Sequence, residues 1–392
     1  MLRRLDPALL IATTFLTGVG LLVIWSTGGG HYLVRQLLFL PAAVGALIAG
    51  LLVPRRVLSD LALWFYVAML ALLAAVLLLG GGDGARRWFM LGPLAFQPSE
   101  FAKIATVILL ARHLAGRREL GLSFKSLATP VLICLAPALL ILVEPDLSGA
   151  LLLGAVLAAM LYHAGLRPLE LLLLYTPLLS FAAGFSLWTW APFFVLLVVV
   201  VQRREGLGRA LIAGAVSTAF GLLSPVSLHL LRDYQRARVR SFLSPWLDPH
   251  GVGWNSIQSR IAIGSGRLWG KGLTRGTQNR LGFLPNRHTD FAFSCIGEEL
   301  GLAGSLAVLA GFLVLVGRFL THARQNRDRF SALLCTGCAA IVGYGVFVNI
   351  GMLLGLLPVT GVALPFISYG GSSLVLNYLL VGIVLGCAAR PE

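Results

Sequence analysis

Phe283-Leu284-Pro285-Asn286-Arg287-His288-Thr289-Asp290-Phe291 closes a hydrophilic stretch of about sixty residues, Leu231 to Asp290, in a chain that otherwise reads as one apolar segment after another. The stretch interrupts a run of bilayer-length segments and leaves Asp290 where the next apolar segment begins. It carries Arg232, Arg236, Arg238, Arg240, Arg260, Arg267, Lys271, Arg275, Arg280 and Arg287, against Asp233 and Asp248 alone ahead of Asp290. Cations in such excess at a bilayer surface meet either an anionic ligand or anionic lipid head groups.

Composition settles the class. With 57% hydrophobic and 12% charged residues and a mean hydropathy of +0.86, the 392 residues cannot form a soluble domain. The chain is expected to be an all-α polytopic integral membrane protein forming a single membrane domain over 1–392. The five cysteines fall almost entirely within apolar runs and read as small packing residues, the Cys335/Cys338 CxxC spacing included. Arg3 and Arg4 precede an apolar run without a small-residue cleavage site, so that run is a retained first span.

Runs long enough to cross a hydrocarbon core, roughly 17 to 25 residues, lie at 8–26, 33–53, 58–80, 99–115, 127–143 and 147–163. The run 169–202 divides into two short helices turning near Gly184 to Pro192; 210–230 follows, and 291–317, 331–353 and 366–389 come after the polar loop. The expectation is a bundle of about 12 transmembrane helices. Lys and Arg in short loops mark the cytoplasmic side. An internal N-terminus places Arg55, Arg56, Arg112, Arg117, Arg167, Arg203, Arg204, Arg209, Arg324 and Arg329 inside. Both termini are then cytoplasmic, and the 231–290 loop is extracytoplasmic.

Ionisable residues at membrane depth are functional candidates. They are Asp290, Glu298 and Glu299; Glu100 and Lys103; and Glu144 with Asp146. Gln97-Pro98-Ser99-Glu100 reads as a helix start with Ser99 as N-cap and Glu100 near the positive helix end. Glu100 and Lys103, three apart, share a face. They are either a polar site or a capped helix whose lysine snorkels. Arg86-Arg87-Trp88-Phe89 just upstream either binds an anion or anchors the chain at the interface. Gly264-Ser265-Gly266, Gly270-Lys271-Gly272 and Gly276-Thr277-Gln278 could bring backbone N–H groups, with Lys271, to an anion. No phosphate-loop or dinucleotide pattern, zinc-ligand spacing or nucleophile elbow is present. No cofactor or dedicated metal site is evident, an assisting divalent cation stays compatible with the pattern, and nothing points to nucleic acid.

These segments, with Tyr234-Gln235-Arg236-Ala237-Arg238, Gly253-Trp254-Asn255-Ser256-Ile257-Gln258-Ser259, His288-Thr289-Asp290-Phe291, Asn349-Ile350-Gly351-Met352, Leu357-Pro358-Val359-Thr360-Gly361 and Leu364-Pro365-Phe366-Ile367-Ser368-Tyr369-Gly370-Gly371-Ser372-Ser373, resemble the shape, elongation, division and sporulation family over most of the chain. The Gly276-Thr277-Gln278 and Gly253-Trp254 details favour its elongation branch. The resemblance implies a peptidoglycan glycosyltransferase in the bacterial cytoplasmic (inner) membrane. It would polymerise lipid II beside a class B penicillin-binding protein that supplies transpeptidation, releasing undecaprenyl diphosphate. Asp290 corresponds to the family's essential aspartate, Glu100 and Lys103 to its polar pair, and Arg86-Arg87-Trp88 to its outer loop. The chain departs where members commonly have Glu for Asn286, Gln-Pro-Asp-Leu-Gly for Glu144-Pro145-Asp146-Leu147-Ser148, and Gly for Arg267. Members usually have ten spans, so 169–209 reads as an inserted hairpin.

A lipid diphosphate is already a good leaving group, so one base and a set of cations suffice where a glycosidase needs two carboxyl groups. Asp290 is the candidate base, and Lys103, Arg87, Arg236, Arg238 and Lys271 are candidates for holding substrate, with Glu100 orienting Lys103. A lipid II flippase and a noncatalytic scaffold are the alternatives. The clustering of Asp290 and the basic loop on one face favours polymerisation.

Overall fold

The computed structural model describes residues 5–81, 86–91, 94–117, 121, 124–230, 253–284 and 287–389. Arg236, Arg238 and Asn286 lie outside the described residues. The first helix, α1 (Pro7–Leu52), spans 46 residues and is broken by non-helical geometry at Gly29. Its two arms run in opposite directions along the last helix, α14 (Gly371–Ala389). Thr17 accepts a hydrogen bond from Tyr378, Gln36 reaches Gly370 ahead of that helix, and Gly50 lies against Ile383 further down it. The two apolar runs 8–26 and 33–53 are therefore two spans joined at Gly29.

The helices α2 (Arg55–Leu79), α3 (Pro98–Ala115), α4 (Phe124–Val143), α5 (Leu147–His163), α6 (Pro168–Ala183), α7 (Leu187–Glu205) and α8 (Leu207–Leu230) follow. Beyond the loop come α9 (Trp254–Ser265), α10 (Thr277–Arg280), α11 (Ala292–Glu299), α12 (Gly301–Gln325) and α13 (Arg329–Leu353). Among the described residues, eight helices are long and apolar enough to cross a membrane. Both arms of α1, the shorter apolar helices α5 and α6 and the helix α3 occupy the other apolar runs, so the described helices match the runs read from the sequence. Among the described residues, a small antiparallel hairpin, β1 (Phe89–Leu91) and β2 (Leu94–Phe96), departs from the all-helical expectation.

Lipid chains are as apolar as leucine, so burial alone does not bind helix to helix in a bilayer; close packing does. The α1 to α14 contact shows how. A Cβ on Gly382 would lie 2.1 Å from the Leu47 carbonyl oxygen, so any other residue there would push the helices apart. At the bundle end that holds both the start of α1 and the end of α12, Asp6 caps α1 through the Ala8 N–H and accepts from Arg318 at 2.6 Å and from His322 at 2.7 Å. Arg55 faces Asp328 there at 3.7 Å, and Arg329 donates to the Ala164 carbonyl. All five cysteines are free and buried.

Candidate active site at the loop end of the bundle

At the opposite end, the site grows from an interrupted helix. The apolar run from 291 reads as one span, yet the structure splits it into α11 and α12 at Leu300–Gly301. An unbroken helix would pair the N–H groups of Leu302 and Ala303 with the carbonyls of Glu298 and Glu299. Instead Leu302 donates to Arg267 (2.8 Å) and Ala303 to Leu268 (3.0 Å). The carbonyls of Glu298 and Glu299 accept from Lys271 and Gly272, each at 3.0 Å. The 267–272 segment is thus spliced into the helix ladder.

This use accounts for the glycines. A Cβ at Gly270 would sit 2.2 Å from the Glu299 carbonyl oxygen. The glycine-rich loop lets backbone meet backbone, and the N–H groups of Lys271 and Gly272 are consumed by α11 rather than presented to an anion. Lys271 is placed accordingly. Its ammonium donates to Glu298 Oε1 (2.7 Å) and Thr277 Oγ1 (2.8 Å), while the Gln278 N–H reaches the same carboxylate oxygen at 3.1 Å. Lys271 therefore neutralises a fully buried Glu298 and clamps the loop, with part of its side chain still exposed. Glu299 accepts from Ser26. Arg267 stands at φ 50, the left-handed region that favours glycine, which explains why glycine suits that position.

Asp290 stands just ahead of α11, whose eight residues are all buried. The buried Asn349 donates through Nδ2 to the carbonyls of both Asp290 (2.9 Å) and Val362 (2.6 Å). Ser368 donates to the Thr289 carbonyl at 2.6 Å and accepts from the Leu364 N–H at 2.8 Å, and the Tyr369 N–H donates to His288 (2.8 Å). His288 stacks on Tyr32 with ring centroids 4.2 Å apart, and burial followed by the nearby Arg287 charge pushes its pKa below the ordinary imidazole value. A Cβ on Gly361 would meet Asp290 Oδ2 at 3.4 Å, so the carboxylate faces that loop across a narrow gap.

The segment 361–373 also anchors the polar pair. The Gln97 N–H donates to Ser372 Oγ, and Ser372 donates to Ala95 in β2. This fixes the start of α3, where Lys103 Nζ lies 2.5 Å from Glu100 Oε1 with Lys103 only 9% exposed. The cap differs from expectation. α3 begins two residues earlier, with Pro98 at its first position and no side-chain cap from Gln97, and Ser99 Oγ is buried without a partner among the described residues. Arg87 donates through Nε to the Glu144 carbonyl (2.5 Å) and through an Nη to Pro145 (2.7 Å), lashing the hairpin to the turn between α4 and α5. Arg86 caps α2 through Leu77 and Leu78.

The 361–373 segment thus meets both Asp290 and the start of α3 that carries the Glu100–Lys103 pair, while Arg87 is tied to the α4–α5 turn. Among the described residues no group of three or more His, Cys, Asp or Glu could hold a metal ion. Asn349, Ser368, Tyr369 and Ser372 lie in segments that carried the family resemblance, but their roles as fasteners show only in the fold; Tyr32 and Gln36 had no sequence signal.

Fold and site together define a polytopic membrane protein with a carboxylate and cations set at one face of its helix bundle. The chain belongs to the FtsW, RodA and SpoVE family of cell cycle proteins, whose family model matches residues 7–193 and 183–391. It is 37% identical over 385 residues to the peptidoglycan glycosyltransferase MrdB of Escherichia coli K12, covering 97% of this chain and 93% of that protein. It is 34% identical to a probable peptidoglycan glycosyltransferase FtsW of Geobacter metallireducens, covering 100% of this chain and 96% of that one. Among solved structures, a chain of a peptidoglycan synthase complex that coordinates polymerization and crosslinking superposes with a TM-score of 0.74 at 30% identity, covering 99% of this chain and 98% of its own. The Thermus thermophilus rod shape determining protein RodA gives 0.67 at 28% identity, covering 99% and 97%.

Proposed function

We propose that the chain is a peptidoglycan glycosyltransferase that polymerises lipid II during cell-wall elongation, with Asp290 as general base. The observation that carries this reading is the seating of Asp290. Asn349, Ser368 and Tyr369 hold the backbone of residues 288–290 at the head of a fully buried helix. A base fixed in this way loses little entropy on reaching its geometry. The acceptor sugar hydroxyl gives its proton to the Asp290 carboxylate while its oxygen bonds to the donor's anomeric carbon. The bond from that carbon to the diphosphate breaks, and undecaprenyl diphosphate leaves with the electron pair. Displacement on one face inverts the anomeric centre.

Lys103, oriented by Glu100, and Arg87 are the cations we assign to the departing diphosphate, with Arg236 and Arg238 of the loop as further contacts. Guanidinium forks match phosphate oxygens in pairs. A divalent cation, where one assists, would be carried in on the diphosphate. The partner is a class B penicillin-binding protein. The apolar groove between α12 and α13, lined by Leu309, Phe312, Leu313, Gly343 and Phe347, suits a single membrane helix of it. We place the protein in the bacterial cytoplasmic (inner) membrane with both termini inside and the 231–290 loop outside. We also read 169–209 as an inserted hairpin; the two matched stretches of the family model meet inside it.

The test gives labelled lipid II to purified protein, with its cognate synthase held transpeptidase-dead, and resolves the products on a gel. Wild type should build glycan ladders, and folded Asp290→Ala and Asp290→Asn should build none. Ladders from Asp290→Asn would remove Asp290 as base, and none from wild type would overturn the polymerase reading.

A further inference from the structure

The helices α6, α7 and α8 pack largely on one another around a small cluster of Leu197, Val201, Ala210 and Ala213. At the bundle end opposite Asp290, the first turn of α6 and the last turn of α7 part. They leave a cleft of about 610 Å³ that includes Arg167, Leu169, Leu172, Val200, Arg204 and Glu205 in its walls. The site described above does not use it.

Its chemistry is divided. Leu169, Leu172 and Val200 form an aliphatic wall, while Arg167 and Arg204 are exposed at the helix ends. The carboxylate of Glu205 is taken by Arg209, one turn on, and Glu170 accepts from the Arg167 backbone N–H at 3.0 Å. Neither the Arg167 nor the Arg204 guanidinium has a hydrogen bond or ion pair among the described residues. Two unpaired guanidiniums beside an aliphatic wall, at the depth where spans begin, match a ligand that is anionic at one end and apolar at the other. Basic pockets between membrane helices bind acidic head groups for this reason. A free phosphate ion would satisfy the arginines and leave the leucines wet.

We infer that this cleft binds one anionic glycerophospholipid, its phosphodiester between Arg167 and Arg204 and an acyl chain along Leu169, Leu172 and Val200. The bound lipid would occupy the space between α6 and α7 and join the ends of two helices that otherwise meet chiefly through α8.

The experiment titrates the purified full chain in detergent with phosphatidylglycerol, and separately with phosphatidylcholine of the same chains, and reads bound lipid by native mass spectrometry. One tightly retained phosphatidylglycerol is expected, in preference to phosphatidylcholine. Removing both charges, as Arg167→Gln with Arg204→Gln, should weaken it about thirtyfold, from the typical contribution of a basic side chain at an anionic lipid surface. Arg56→Gln, an exposed arginine of the same bundle end outside the cleft, should change nothing. Leu172→Trp, which fills the aliphatic wall and leaves the arginines in place, should weaken binding as well, and it tests the idea should the double variant fail to fold. Equal retention of the two lipids would overturn the inference. So would an Arg56→Gln loss equal to that of the double variant, glycerol phosphate binding as tightly as the lipid, or a polyprenyl phosphate displacing it at equal concentration.

Discussion

Glu144→Gln should make the protein more stable, and the gain should grow with pH. Glu144 lies in the turn between α4 and α5 with only 1% of its surface exposed, and neither carboxylate oxygen finds a partner among the described residues. Its backbone carbonyl holds Arg87, but the side chain takes no share of that bond. Burial, with Asp146 adding to it and Arg87 opposing it, pushes the carboxyl up to about 8 from an ordinary 4.5. A group raised on folding gives its full stability below the unfolded value and loses it as pH climbs to the folded one. Between pH 4.5 and 8 the unfolded chain ionises freely while the folded chain resists. At ~1.4 kcal/mol per pH unit this ramp is on the order of 3–5 kcal/mol. Glutamine fills the same space without the ramp. Apparent melting temperatures in detergent, at one scan rate and at pH 5, 7 and 8.5, should converge near pH 5 and separate by several degrees at pH 8.5, with the variant higher. Parallel curves for the two proteins would show that the carboxyl is solvated or paired, and the burial argument would fail.

Asn349→Leu keeps the volume but leaves the Asp290 and Val362 carbonyls without their donor, a loss of about 1–3 kcal/mol for each buried group. Lipid II turnover by the folded variant should fall at least about tenfold; unchanged turnover would mean that Asn349 does not seat the base. Lys271→Met strands the buried Glu298 carboxylate and should destabilise by about 3–5 kcal/mol, whereas Lys271→Met with Glu298→Met should recover most of that loss. Additive losses in the two changes would deny the ion pair its place in the loop. Arg267→Gly should stabilise by up to about 1 kcal/mol by relieving a left-handed backbone at φ 50, and a lower melting temperature would show that the arginine side chain makes up for the strain.

Much of the architecture is legible in the sequence, since hydrocarbon thickness sets segment length and the apolar runs count directly as spans. Even the division of 169–202 falls where the structure turns, at Gly184 to Ser186. What escaped has a common cause. The break after Glu299 and the hairpin at 89–96 are set by partners distant in sequence, so hydropathy reads straight through the first and finds no period in the second. The glycines at 266, 270 and 272 announced a close backbone approach, but composition could not say whether to a ligand or to α11. Asp290, Glu100 and Lys103 stood out because charge is rare at the membrane. Asn349 and Ser368 are neutral, and only the fold shows what they hold.

The splice at residues 267–272 ties two processes that sequence order keeps apart. In an ordinary helix the amide protons of Leu302 and Ala303 exchange with solvent when the helix frays. Here their acceptors belong to Arg267 and Leu268, so they exchange when the loop lifts away, and they report its detachment from within the span. The coupling also works mechanically. A displacement of the loop is delivered to both sides of the joint at Leu300–Gly301, and the eight-residue helix that leads back from the joint starts at Ala292, two positions after Asp290.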